Sequence, residues 1–108
     1  MLAPIDLISS PRREPMNLLQ AANGHLLIEF GELSVADWKV LESKLVNAWG
    51  FRRVGEIVVG LDGTICPDFE RQDLKLAAGW DIWSGYHLLS DCAAGDEFLQ
   101  KMCDELQF

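Results

Sequence analysis

The sequence predicts one α+β domain, a mostly antiparallel sheet of four to five strands with two amphipathic helices packed on one face. Short runs of strand-forming residues alternate with glycines and with an Asp-Gly turn signal. Two longer segments carry apolar residues at helical spacing along one side. Such helices need an apolar surface to cover, and one face of a sheet supplies it.

The chain has 108 residues, of which 49% are hydrophobic, and this fits a single folded domain. Residues 1–16 hold three of the four prolines and no sustained periodicity, so we predict an irregular N-terminal arm. Residues 17–108 are predicted to form the domain. Because Met16 follows the arm directly, a further hypothesis places the native start at Met16 instead of Met1.

The first elements are a strand over residues 25–30 and a helix over residues 35–49. Ser34 precedes the helix and Asp37 follows three residues later, which resembles a capping box with Asp in place of Glu. Gly50 is typical of the residue that ends a helix. The predicted apolar stripe consists of Trp38, Leu41, Leu45, Ala48 and Trp49.

A hairpin is predicted next, with strands over residues 54–60 and 64–70. Asp-Gly between two strand-like runs favours a type I′ turn, because both residues tolerate positive φ. Pro67 cannot donate to a ladder, so the return strand is predicted to be an edge strand or to carry a bulge.

Residues 58–64 resemble the first motif of haloacid-dehalogenase-type phosphatases, a hydrophobic strand followed by Asp-x-Asp-Gly-Thr. Asp62 matches the second Asp of that motif, the acid/base. The nucleophilic first Asp would stand at position 60, which is Gly60, and glycine has no carboxylate to attack phosphate. We therefore interpret the segment as a hairpin turn.

The C-terminal third is predicted to hold strands over residues 74–78 and 86–89, followed by a helix over residues 96–106 capped by Asp96. Residues 79–85 are interpreted as a loop or a wide hairpin end, with a strand running straight through as the alternative. On that alternative the two tryptophans of this segment would lie on opposite faces.

The net charge is −8, and residues 61–108 contribute −7 of it from ten acids and three bases. Phosphate backbones and anionic membrane surfaces repel such a chain, so no direct contact with nucleic acid or membrane is expected. A basic protein partner would be steered toward it.

Three cysteines without paired spacing argue against a disulfide framework and favour a reducing, cytoplasmic environment. No apolar run approaches the length of a membrane span. Neither the histidines nor the cysteines have zinc-ligand spacing, and no catalytic triad can be recognised in the sequence. We therefore predict no metal, no cofactor and no catalytic residue, and the sequence favours a protein that is not an enzyme without deciding the matter.

These observations favour a small acidic protein-binding module, an inhibitor or immunity-type protein that binds a basic partner. Two glycines bracket a tryptophan pair beside an acid, and aromatic residues of this kind are favoured at binding hot spots. The predicted partner-binding residues are Trp80, Asp81, Trp83, Asp68, Glu70 and Asp73.

Two alternatives stay open. The first is a small-ligand-binding protein or enzyme with a pocket around Trp80, Trp83, Tyr86 and His87. The second is a structural subunit that forms a homodimer through an exposed sheet edge.

Overall fold

The computed structural model describes residues 16–72 and 74–106, and within them the predicted α+β class is confirmed. Seven strands form one sheet, compared with the four to five that were predicted. The strands are β1 (Asn17–Gln20), β2 (Leu26–Glu29), β3 (Arg52–Val54), β4 (Val58–Val59), β5 (Gly63–Arg71), β6 (Leu74–Asp81) and β7 (Gly85–Ser90). The helices are α1 (Val35–Asn47) and α2 (Ala93–Leu106).

The strands lie in the order β1-β2-β7-β6-β5-β3, and β4 pairs with β5 beside β3. All pairs are antiparallel, so the predicted sheet type is confirmed as well. The last strand, β7, lies between β2 and β6. None of the helices in residues 16–72 and 74–106 is long and apolar enough to cross a membrane.

Both helices cover the same face of the sheet. Ile28, Leu76 and Leu88 point to that face from three neighbouring strands and are fully buried. Successive strand residues point to opposite faces, so their neighbours in sequence lie on the other, open face. The helices contribute Trp38, Leu41, Leu45, Phe98, Leu99, Met102 and Cys103 to the same core.

Helix α1 begins as predicted, because the Ser34 side chain accepts a hydrogen bond from the Asp37 backbone N–H at 3.0 Å. Helix α2 begins at Ala93, three residues before the predicted start, and Asp96 lies in its first turn. The Asp96 carboxylate does not cap the helix. It accepts the Leu26 backbone N–H at 2.8 Å and lies 2.9 Å from His25 Nδ1. The Asp96 carboxylate therefore links α2 to the start of β2.

The predicted strand over residues 54–60 is broken into β3 and β4. Gly55 has φ +104°, a conformation that favours glycine, and residues 55–57 leave the ladder. The break lies opposite an irregular register of β5 between Cys66 and Phe69, where the predicted bulge at Pro67 is found. The prediction that β5 is an edge strand is wrong, because β6 flanks it on the other side.

The predicted type I′ turn is also wrong, since neither Asp62 nor Gly63 has positive φ. The turn residues are Leu61 and Asp62 instead, because the Gly60 N–H donates to the Gly63 carbonyl at 2.7 Å. At the next turn, β6 continues to Asp81 and β7 begins at Gly85, so residues 79–85 form a hairpin end that is narrower than predicted, and no strand runs straight through. Only residues 82–84 form the turn.

The sequence prediction did not include β1, a four-residue edge strand paired with β2. The predicted arm, apart from Met16, lies outside the described residues. The hypothesis of a start at Met16 therefore stays a prediction.

Candidate functional site

Two turns lie side by side at one end of the sheet, the β4–β5 loop and the β6–β7 turn. The Ile82 backbone N–H donates to the Asp62 carbonyl at 3.1 Å and joins them directly. Gly63 and Asp81 form the last cross-strand pair below this contact. A Cβ atom on Gly63 would lie 2.6 Å from the Trp80 carbonyl oxygen, so glycine permits the close approach of the strands.

Large apolar side chains project into solvent at this end. Leu61 is 101% exposed, Trp83 77% and Val59 76%. Val58 pairs with Ile65 on the adjacent strand, and Ile82 precedes Trp83 in the turn. We name this group the turn ridge; it comprises Val58, Val59, Leu61, Ile65, Ile82 and Trp83, all exposed. Several exposed apolar side chains at one end of a sheet favour an interaction surface, whereas single exposed apolar residues are common.

The charges that belong to these two turns are negative. Asp62 lies in the first turn and Asp81 at the start of the second. Residues 54–70 and 76–100 contain no Lys or Arg, so neither turn supplies a cation of its own. The end of the sheet thus combines an apolar ridge with carboxylates.

Asp81 also organises the turn that holds Trp83. Its Oδ1 accepts the backbone N–H of Ser84 at 2.6 Å and that of Trp83 at 2.9 Å. These bonds, the Ser84 bond foremost, hold the pKa of the Asp81 carboxyl below its usual range. The carboxylate is therefore charged at neutral pH and fixes the backbone beneath the exposed indole.

Trp80 lies elsewhere, on the helix-covered face. It pairs with Tyr86 across the strands, and Tyr86 stacks on Trp38 of α1 with ring centroids 4.5 Å apart. The indole of Trp80 lines a cleft of about 290 Å³ between α1 and the sheet. The predicted pair is thus divided between a partly buried Trp80 in the cleft and an exposed Trp83 in the turn ridge.

The predicted acids of β5 lie on the open face of the sheet and have cationic neighbours. Glu70 is 3.4 Å from Arg52, and Asp68 is 4.0 Å from Lys75. These partly exposed pairs reduce the net charge of that surface. Asp73, the remaining predicted acid, lies outside the described residues.

The residues of the predicted pocket fall into three places. Trp80 and Tyr86 share the cleft, Trp83 is in the turn, and His87 points to the open face opposite Gly79. Burial lowers the pKa of His87, although Asp81 and Glu29 oppose this shift. Among the described residues, no group of three or more His, Cys, Asp or Glu side chains is arranged to hold a metal ion.

Sequence reasoning missed the contribution of the β4–β5 hairpin. The sequence analysis assigns residues 54–60 to a strand and gives them no part in binding. The signal for exposure was the pair of flanking glycines, Gly55 and Gly60, which weaken a strand interior.

No family model matches the chain, and neither a curated protein nor a solved structure matches it significantly. The function is therefore argued from the chemistry of the surface alone.

Proposed function

We propose that this chain is a small acidic protein-binding module, an inhibitor or immunity-type protein that binds a basic protein partner in the cytoplasm. The turn ridge is the surface through which it binds. The observation that carries the proposal is the exposure of Leu61 and Trp83 on two turns that the hydrogen bond from the Ile82 N–H to the Asp62 carbonyl joins at the end of the sheet.

Exposed apolar area of this kind supports binding because its burial in a complex releases water from both surfaces. Trp83 supplies a large ring on a turn that Asp81 already holds in place. A rigid aromatic anchor loses little conformational entropy on binding, which is why such residues become hot spots. The best-fitting partner surface has an apolar pocket that admits one indole.

The negative charge of this chain favours a partner whose pocket is surrounded by basic residues. Asp62 and Asp81 flank the ridge, and the chain as a whole carries −8. Long-range attraction accelerates the encounter with a cationic partner, and added salt screens it. The same charge disfavours a nucleic-acid partner. Three cysteines without paired spacing in the sequence support a reducing compartment.

The test is affinity capture with the purified chain and with the double variant Trp83→Ala, Asp81→Asn, at about 50 and about 200 mM salt. Asn keeps the acceptor oxygen for the turn while removing the charge. We expect one basic protein to be retained by the parent chain and its affinity to fall about 30-fold in the variant, the loss typical of one hot spot.

The matched control is Val40→Ala on α1, an apolar residue with 64% exposure that is not in the turn ridge. It should retain the partner as the parent does. A folded double variant that binds the partner with unchanged affinity would remove the turn ridge from the proposal. Binding that is insensitive to salt would remove the electrostatic part.

One observation favours the homodimer alternative. Within residues 16–72 and 74–106, β4 pairs with β5 alone, and its residues Val58 and Val59 are 57% and 76% exposed. An exposed apolar edge strand is a template for pairing with another strand. Sedimentation equilibrium separates the two functions: a concentration-dependent dimer that Val58→Lys abolishes would support the alternative.

A further inference from the structure

The cleft beside α1 is separate from the turn ridge, and its lining has a different chemistry. Its walls are aromatic, formed by Trp38, Trp80 and Tyr86, and its floor includes Cys66 and Pro67 of β5. It opens where the edge strand is broken between β3 and β4, so the gap in the ladder creates the space. At about 290 Å³ it is the size of a small ligand site.

The rim of the cleft carries two cations, Lys39 on α1 and Arg53 on β3. Both are solvent-accessible, and the Arg53 side chain is 46% exposed. The lining therefore has a net charge of +1 in a chain that carries −8, because Glu42 is its one acid. This is a local excess of positive charge on an acidic protein.

Glu42 only partly engages Arg53. The closest approach of the carboxylate to the guanidinium is 3.7 Å, beyond ordinary hydrogen-bond length, and the Glu42 side chain is only 12% exposed. Its charge contributes to the raised pKa values of Cys66 and Tyr86, in both cases after burial as the main cause. Glu42 is thus the least exposed charged side chain of the lining, whereas Lys39 and Arg53 are exposed.

We propose that the cleft binds a small apolar carboxylate, with its hydrocarbon part against the aromatic walls and its carboxylate at the mouth. The apolar part fits because the walls bury it away from water. The carboxylate fits because Lys39 and Arg53 hold donors at the mouth, and the N–H groups of an arginine fork can donate to both oxygens of such a group. A cationic head group would meet two like charges there.

The test uses 3-phenylpropanoate as the probe, with its neutral amide and its amine analogue as matched ligands. The four tryptophan indole N–H signals are followed by NMR during titration. Trp38 and Trp80 report on the cleft, whereas Trp49 and Trp83 lie outside its lining and serve as internal controls. We expect the carboxylate to shift the first two signals saturably and to bind at least about fivefold tighter than the amide.

The double variant Lys39→Gln, Arg53→Gln should remove this preference and leave the weaker binding of the amide intact. Arg52→Gln is the control, because Arg52 lies next to Arg53 in sequence but pairs with Glu70 on the open face. A carboxylate that binds no tighter than the amide or the amine overturns the proposal, as does saturable binding that moves only Trp83 or Trp49. Neither result bears on the turn ridge.

Discussion

Two tryptophans of this chain should respond differently to substitution by alanine. Trp38 is 3% exposed, stacks on Tyr86 and contacts Phe30 edge-on at 6.0 Å. Trp83 is 77% exposed on a turn. We expect Trp38→Ala to lower the free energy of unfolding strongly, and Trp83→Ala to leave the free energy of unfolding unchanged.

The magnitudes follow from burial. Truncation of a buried Trp to Ala costs about 3–5 kcal/mol, which includes the lost transfer energy, the cavity and the aromatic contacts. A small domain has about 5–15 kcal/mol in total, so Trp38→Ala removes a large part of it. Trp83→Ala should stay within about 0.5 kcal/mol, because little of the indole leaves a buried environment.

Urea unfolding measured by far-UV circular dichroism gives both values, with equal m-values as the check that the two-state comparison is valid. At about 4 °C per kcal/mol, Trp38→Ala should also lower Tm by about 12–20 °C. A loss above about 1.5 kcal/mol for Trp83→Ala would refute the reasoning, because the ring would then belong to the fold and not to a binding surface.

Three further outcomes are expected. Asp81→Ala should destabilise the domain by about 1 kcal/mol, because the N–H groups of Trp83 and Ser84 lose their acceptor, whereas Asp81→Asn should cost less; urea unfolding compares them. Gly85→Ala should cost more than about 1 kcal/mol by the same measurement, because φ is +73° and the new methyl would meet the Gly31 carbonyl. Burial lowers the pKa of His87, so the unfolded chain binds more protons between that pKa and about 6.5. Stability should therefore fall as pH decreases through this window, and His87→Gln should flatten that part of the profile; an unchanged profile would contradict the assignment.

The helices were predictable because their signals are local. Ser34 and the stripe through Trp38 and Leu45 lie within a few residues of each other, and the structure uses them as the sequence suggests. The cap of α2 was not predictable, because the Asp96 carboxylate is engaged by the Leu26 N–H, 70 residues away. The spacing of residues near α2 cannot show that a backbone N–H from a distant strand binds this carboxylate.

The strands, too, were predictable where their signals are local and not where they depend on distant residues. The bulge at Pro67 follows from the missing N–H of proline and was predicted. The break at residues 55–57 depends on how β5 bends opposite them, and β1 depends on pairing with β2. Neither dependence is visible in a short window, which is why the strand count was too low.

The candidate site was only partly predictable. An exposed aromatic between Gly79 and Gly85 was expected, and Trp83 is that residue. Its apolar companions come from a hairpin that is distant in sequence and adjacent in space through the Asp62–Ile82 bond. The acids of β5 were grouped with Trp83 by sequence proximity, whereas the pleat directs them to the open face beside Arg52 and Lys75.

The position of β7 beside β2 has a consequence for how the chain folds during synthesis. Ile28 pairs with Leu88 in the centre of the sheet, so β2 has no neighbour on that side until about 60 further residues have been made. The hairpins from β3 to β7 can form locally as the chain is made. Until β7 is complete, β1 and β2 form an apolar two-stranded ribbon in which one edge of β2 has no neighbouring strand. A ribosome-bound chain that ends before β7 should therefore recruit chaperones, whereas one that has cleared α2 should not.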